Sequence, residues 1–158
     1  MLQRKSLRLP NYDYGQSGAY FVTICTKEKR PVLSSIVGAA DLCGPRSHLT
    51  AWGTVVEKYL LGIPGIGEYV IMPNHLHMIV FIRQTLGGPQ GSAAPTSDLS
   101  MRIKAFKSLV TKALGFPIFQ RSYYDHVIRC EEDYLRIAEY IQNNPAKWME
   151  DTYYVARS

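Results

Sequence analysis

EYVIMPNHLHMIVFI, residues 68–82, is a run of β-branched and other apolar side chains interrupted only by Pro73-Asn74. Such a run reads as strand. The proline cannot donate to a ladder, so it reads as a bulge or edge irregularity within one long element. The second half is expected to be a buried strand. Alternate side chains of a strand share a face, so His75 and His77 present both imidazoles to one side. Leu76, Met78 and Val80 then point the other way, into a core.

Working outward, AYFVTICT (19–26) alternates and is rich in β-branched and aromatic residues, which predicts a first strand after the Gly15/Gly18 region. From Leu49 to Leu61, Trp52, Val55, Val56, Tyr59 and Leu60 recur at steps of three and four, with Gly62 and Pro64 as stop signals, so this segment reads as a helix. RQTLGGPQGSAAPT (83–96) is rich in Gly, Pro, Ser and Ala and reads as a flexible loop within the domain. Ser97 or Asp98 is the expected cap of a second helix with a core stripe of Leu99, Ile103, Phe106, Val110 and Ala113, closed by Gly115 and Pro117. Lys104, Lys107 and Thr111 fall on a different, basic face. IFQRSYYDHVIR (118–129) reads as another strand. Glu131, Glu132 and Asp133 then place carboxylates at the positive end of a last helix running to about Asn143, with Pro145 ending it. Strands alternating with helices in a short chain predict an α+β fold, an antiparallel sheet with helices on one face.

The 158 residues with 46% apolar content suit one compact domain, expected to span 1–158. No stretch approaches the roughly 20 apolar residues of a membrane span, and the basic N-terminus MLQRKSLRLPNYDYG has no apolar run behind it, so a cytoplasmic location is expected. Cys25, Cys43 and Cys130 lack the close pairing of a zinc or redox motif and read as reduced, structural residues. The net charge of +5 suits a polyanionic partner. Residues 101–130 carry six basic side chains, Arg102, Lys104, Lys107, Lys112, Arg121 and Arg129, against Asp125 alone. On charge alone that segment fits a solvated helix face as well as a nucleic-acid contact.

Two imidazoles one pleat repeat apart can share a divalent ion, and an ion held by two protein nitrogens keeps positions open for phosphate oxygens and water. The same spacing fits two core histidines hydrogen-bonded to neighbours, so spacing alone leaves both readings open. A tyrosine hydroxyl titrates near 10 and needs a neighbouring positive charge or base to act as a nucleophile. The chain has 11 tyrosines. Tyr140 lies at the border of the stripe Tyr134, Ala138 and Ile141, where packing explains it as well as chemistry does.

MPNHLHMIVFI resembles the histidine-hydrophobic-histidine motif of the HUH nucleases. YDHVIRCEEDYLRIAEYIQNNPAKW is similar to the C-terminal signature of the REP-associated tyrosine transposases, in which a tyrosine is followed by an aliphatic residue, two variable residues, Asn-Pro and a basic residue. YDYGQSGAYFVTICTKEKR resembles the opening of bacterial members of the wider single-tyrosine insertion-sequence family. Together these motifs cover most of residues 12–148 in the expected order.

The resemblance implies a ferredoxin-like or RRM-like sheet and a single-tyrosine transposase that nicks and rejoins single-stranded DNA at hairpins through a 5′-phosphotyrosine. It makes Tyr140 the nucleophile, His75 and His77 metal ligands for Mg²⁺ or Mn²⁺, and Asn144 the third ligand. Because Asn144 precedes proline, it is expected to leave helical geometry. Lys104, Lys107, Arg121 and Arg129 are the expected contacts to the DNA backbone, with Tyr123 or Tyr124 as a stacking platform and packing the expected role of at least one of the two. Relatives include dimers that exchange the tyrosine helix, so both a monomer and a homodimer stay open. Two rival readings keep the fold: a domesticated hairpin-binding protein without catalysis, and a metal hydrolase that forms no covalent adduct.

Overall fold

The computed structural model describes residues 18–38, 42, 44–82, 95–151 and 153–154. Within them the elements run β1 (Gly18–Cys25), β2 (Ser34–Val37), β3 (Arg46–Leu49), α1 (Ala51–Leu60), β4 (Ile66–Ile71), β5 (His75–Ile82), α2 (Pro95–Leu114), β6 (Tyr124–Ile128) and α3 (Glu131–Asn143). A short 3₁₀ helix, Pro145–Glu150, follows α3.

The main sheet has the order β4-β5-β1-β6, antiparallel throughout. With the small β2-β3 ribbon set aside, the chain runs strand, helix, strand, strand, helix, strand, which is the ferredoxin-like arrangement. The alternation expected for β5 holds. Leu76, Met78 and Val80 join Tyr20, Val22 and Ile24 of β1 in a core under Val56 and Leu60 of α1 and Leu99, Ile103, Phe106 and Val110 of α2.

Helices on one face describes α1 and α2; α3 lies across the other. Its stripe of Tyr134, Ile137, Ala138 and Ile141 packs on Ala19, Ile79 and Ile128. Burying side chains such as Ile137 and Ile141 contributes about 2 kcal/mol each. That packing holds the last helix over the sheet face that carries the histidines.

Four expectations need correction. The run 68–82 is two strands, because Pro73-Asn74 forms a hairpin turn: Ile71 pairs with Leu76, and the Met72 N–H donates to the His75 carbonyl at 2.8 Å. Proline suits a tight turn because its φ is already set and it needs no donor. Helix α2 begins at Pro95, so Asp98 sits in its first turn rather than capping it. Near its end Leu114 packs on the core while Ala113 is exposed, and β6 is shorter than the run 118–129. The expected loop lies outside the described residues up to position 94.

Two close approaches fix the remaining geometry. Thr50 caps α1, accepting from the Gly53 N–H at 3.1 Å, and a Cβ on Gly53 would stand 1.9 Å from the Leu33 carbonyl oxygen. Leu33 in turn donates its N–H to the Pro73 carbonyl, and Thr26 donates to the Asn74 carbonyl, both at 3.0 Å. The hairpin turn that delivers His75 is thus tied to two other segments. Cys25 is half-buried and free; Cys130, free and exposed at the start of α3, is not a core residue. Cys43 lies outside the described residues.

Candidate metal and nucleophile site

His75 and His77 lie on the α3 side of β5, both almost fully buried. Their Nε2 atoms face each other at 3.1 Å. Each Nδ1 is held from behind. The Asn74 amide donates through Nδ2 to the Tyr153 carbonyl at 2.7 Å and toward the Lys29 carbonyl at 3.3 Å, so its oxygen must face the ring. His75 Nδ1–H therefore donates to Asn74 Oδ1 at 2.9 Å. His77 Nδ1 bonds Thr23 Oγ1 at 2.8 Å, and Thr23 is its direct cross-strand partner. Engaging both Nδ1 atoms aims the two Nε2 atoms at each other, and both can ligate an ion once His77 carries its proton on Nδ1.

Burial pushes the His75 pKa down to about 3, against a smaller opposing effect of Asn144. It pushes His77 well down too, with His75 adding to the effect. Neutral imidazoles are the form that binds metal.

Tyr140 and Asn144 come to the same place from α3. The Tyr140 ring is 5.3 Å from His77 and 6.1 Å from Phe21, centroid to centroid, while 44% of the residue stays exposed. Burial raises its hydroxyl's pKa, as does the Asp151 charge, and Asn144 works the other way. Asn144 is not pushed out of the helix by Pro145: its φ and ψ are −58° and −44°, because the 3₁₀ turn continues the same winding. One helical turn beyond Tyr140, it buries its side chain, and its Oδ1 accepts no hydrogen bond. A buried, unpartnered carbonyl oxygen calls for a ligand.

This donor set fits a divalent ion. Two nitrogens bound cis at about 2.1 Å stand about 3 Å apart, close to the observed 3.1 Å. The spare Asn144 oxygen is the hard type of ligand that Mg²⁺ or Mn²⁺ takes.

No protein-family profile matches the chain. A Haemophilus influenzae protein described only as uncharacterized is 36% identical over 96% of this chain and 93% of its own length. The REP-associated tyrosine transposase of Escherichia coli K12 is 32% identical over 83 residues, 52% of this chain and 44% of that protein. The solved structure of a REP-associated tyrosine transposase bound to a REP hairpin superposes with a TM-score of 0.57 at 22% identity, covering 89% of this chain and 74% of the other. The chain resembles the REP-associated tyrosine transposases in sequence over these 83 residues and shares the fold of the hairpin-bound structure. The match to the E. coli transposase spans less than half of that protein's length.

The expected DNA-contact residues separate. Lys104, Lys107, Arg121 and Tyr123 line a groove of about 870 Å³ along α2, on the α1/α2 side of the sheet. Lys107 is half-buried there and its ammonium donates to the carbonyls of Gln120, Arg121 and Ser122 at 2.8, 3.1 and 3.4 Å. Its charge therefore holds the segment leading into β6. Arg129 is exposed beyond β6. Tyr124 pairs with Thr23, so it faces the histidine side, and it is 58% exposed.

Three residues near the histidines escaped the sequence reading. The Tyr153 ring lies 4.5 Å from His75 and Trp148 6.0 Å, centroid to centroid, and Asp151 Oδ2 is 3.6 Å from His75 Nε2. The aromatic and acidic character of WMEDTYY after Asn-Pro was the available signal, but a fold-back of the chain leaves no periodic trace.

Proposed function

We propose that this transposase-like chain is a metal-dependent DNA nickase that cuts and rejoins single-stranded DNA next to a hairpin. Tyr140 is the nucleophile, and His75, His77 and Asn144 hold a Mg²⁺ or Mn²⁺ ion. The observation that carries this reading is the meeting, within one chain, of the Tyr140 ring, the two convergent imidazoles and the unpartnered Asn144 oxygen. The bound ion supplies Lewis-acid polarisation of the scissile phosphate.

The chain's own residues do the rest. Asn74 fixes the His75 tautomer, Thr23 orients His77, Phe21 stacks on His77, and α3 holds the phenol at the mouth of the site. The Tyr140 oxygen attacks phosphorus and gives up its proton. The P–O3′ bond breaks, the 3′ oxygen takes up a proton, and a 5′-phosphotyrosine remains. The covalent bond conserves the energy of the phosphodiester, so a second 3′-hydroxyl can reverse the step without ATP. Tyr140 serves the histidine pair of its own chain in this reading, which acts as a single domain.

The hairpin is the ligand suggested by the relative solved with a REP hairpin. Lys104 and Arg121 contact its backbone and Tyr124, on the site's own side, stacks an unpaired base. Among the described residues no helix is long and apolar enough to cross a membrane. Nicking of an end-labelled single strand carrying a hairpin tests the reading: wild type cuts with Mn²⁺ and Tyr140→Phe does not. Equal cutting by both proteins favours a water-activating hydrolase, and binding without cutting by either favours a domesticated binder.

A further inference from the structure

We propose that Asp151 is a further protein ligand of the ion held by His75 and His77, so that loading the metal also locks Trp148, Asp151 and Tyr153 over the site. The inference rests on the metal-dependent reading above and adds the tail to it.

Three observations support the assignment. The Asp151 side chain is only 4% exposed, and Oδ2 lies 3.6 Å from His75 Nε2. The candidate ligand atoms of His75, His77 and Asp151 all fall within 4.8 Å of one another. The 3.6 Å separation is longer than a charge-assisted hydrogen bond, which closes to about 2.7–2.9 Å. Two ligand atoms sharing one ion need no direct contact, and this gap suits them. Among the described residues Asp151 makes no ion pair with a lysine or arginine. A buried carboxylate without a cation is costly, and a divalent ion removes that cost.

The carboxylate is also held in position. Its Oδ1 accepts from the Tyr153 N–H at 2.8 Å, and its own N–H donates to the Trp148 carbonyl at 3.1 Å. Tyr153 lies over His75, and its carbonyl accepts from Asn74, the residue that orients His75. The tail, the hairpin turn and the imidazole thus form one connected unit, and an ion bridging Asp151 to His75 closes it.

The test uses the metal-free full chain and Mn²⁺. Calorimetric titration of wild type and Asp151→Asn is expected to show affinity lower by about 10-fold or more in the variant. Amide exchange of residues 148–154 in the wild type is expected to slow on adding Mn²⁺, a readout that needs no variant. Equal Mn²⁺ affinity in the two proteins, or tail exchange indifferent to Mn²⁺ in a wild type that binds it, overturns the assignment of Asp151 alone. A wild type that binds no Mn²⁺ overturns the metal-dependent reading beneath it.

Discussion

His77 and Thr23 are direct partners across two central strands, and the hydrogen bond between them, 2.8 Å from Thr23 Oγ1 to His77 Nδ1, turns the other ring nitrogen toward His75. Sheet register therefore sets the chemistry of the site. Thr23→Val keeps the shape and removes the hydroxyl. It is expected to leave the fold intact while weakening Mn²⁺ binding by about 10- to 100-fold, the usual effect of losing a partner behind a ligating histidine. Calorimetry at pH 7.5 with a circular-dichroism control checks this.

The two buried imidazoles make the metal-free protein sensitive to acid. An unfolded histidine titrates near 6.5, whereas His75 in the fold titrates at about 3 and His77 well below its ordinary value. Between these values the unfolded chain binds protons that the native state refuses. Stability is therefore complete above about pH 6.5 and falls as pH drops toward 3, by up to about 4 kcal/mol for His75 alone. Urea midpoints in EDTA at pH 7.5 and 5.0 measure the loss. His75→Gln should flatten the profile, and an equally steep profile in that variant would remove His75 as the cause.

Lys107 and Lys104, one helical turn apart on the same helix, should behave differently. Lys107 carries three carbonyl contacts, so Lys107→Met is expected to cost about 1–3 kcal/mol of stability. Lys104 is exposed, so Lys104→Ala should leave stability within about 0.5 kcal/mol. If Lys104 contacts single-stranded backbone, its loss lowers the slope of log affinity against log salt by about 0.7. Melting curves and salt titrations with a hairpin oligonucleotide separate the two effects.

Gly53 sits where α1 crosses the backbone at Leu33. A methyl group there meets the Leu33 carbonyl oxygen at 1.9 Å, so helix and hairpin anchor must part. Gly53→Ala is expected to lose about 2 kcal/mol or more despite alanine's better helix propensity. A melting temperature equal to or above wild type would contradict this.

The parts legible in the sequence were those with local periodicity. β1 alternates, α1 and α3 repeat every three to four residues, and the stop signals Gly62 and Pro64 and the Glu131–Asp133 carboxylates mark their ends. The 15 residues of EYVIMPNHLHMIVFI were long for a single strand, and Pro73-Asn74 carried turn chemistry that the surrounding apolar run concealed. β2 and β3 are four residues each and too short to show a period. Asn144 kept helical angles before proline because a 3₁₀ turn took over, which the residue pair does not reveal. The facing of His75 and His77 was readable from a period of two. Their nearness to Tyr140, and the return of Asp151 and Tyr153 to His75, depend on which sheet face α3 covers, a tertiary fact.

The most direct test of Tyr140 as nucleophile is chemical. Wild-type protein, Mn²⁺ and a hairpin-bearing single strand are mixed, quenched in denaturant, digested and examined by mass spectrometry. A nucleotide adduct is expected on the peptide containing Tyr140, and it should vanish in Tyr140→Phe. Strand cleavage with no protein-linked DNA, or an adduct that persists in Tyr140→Phe, would contradict the assignment.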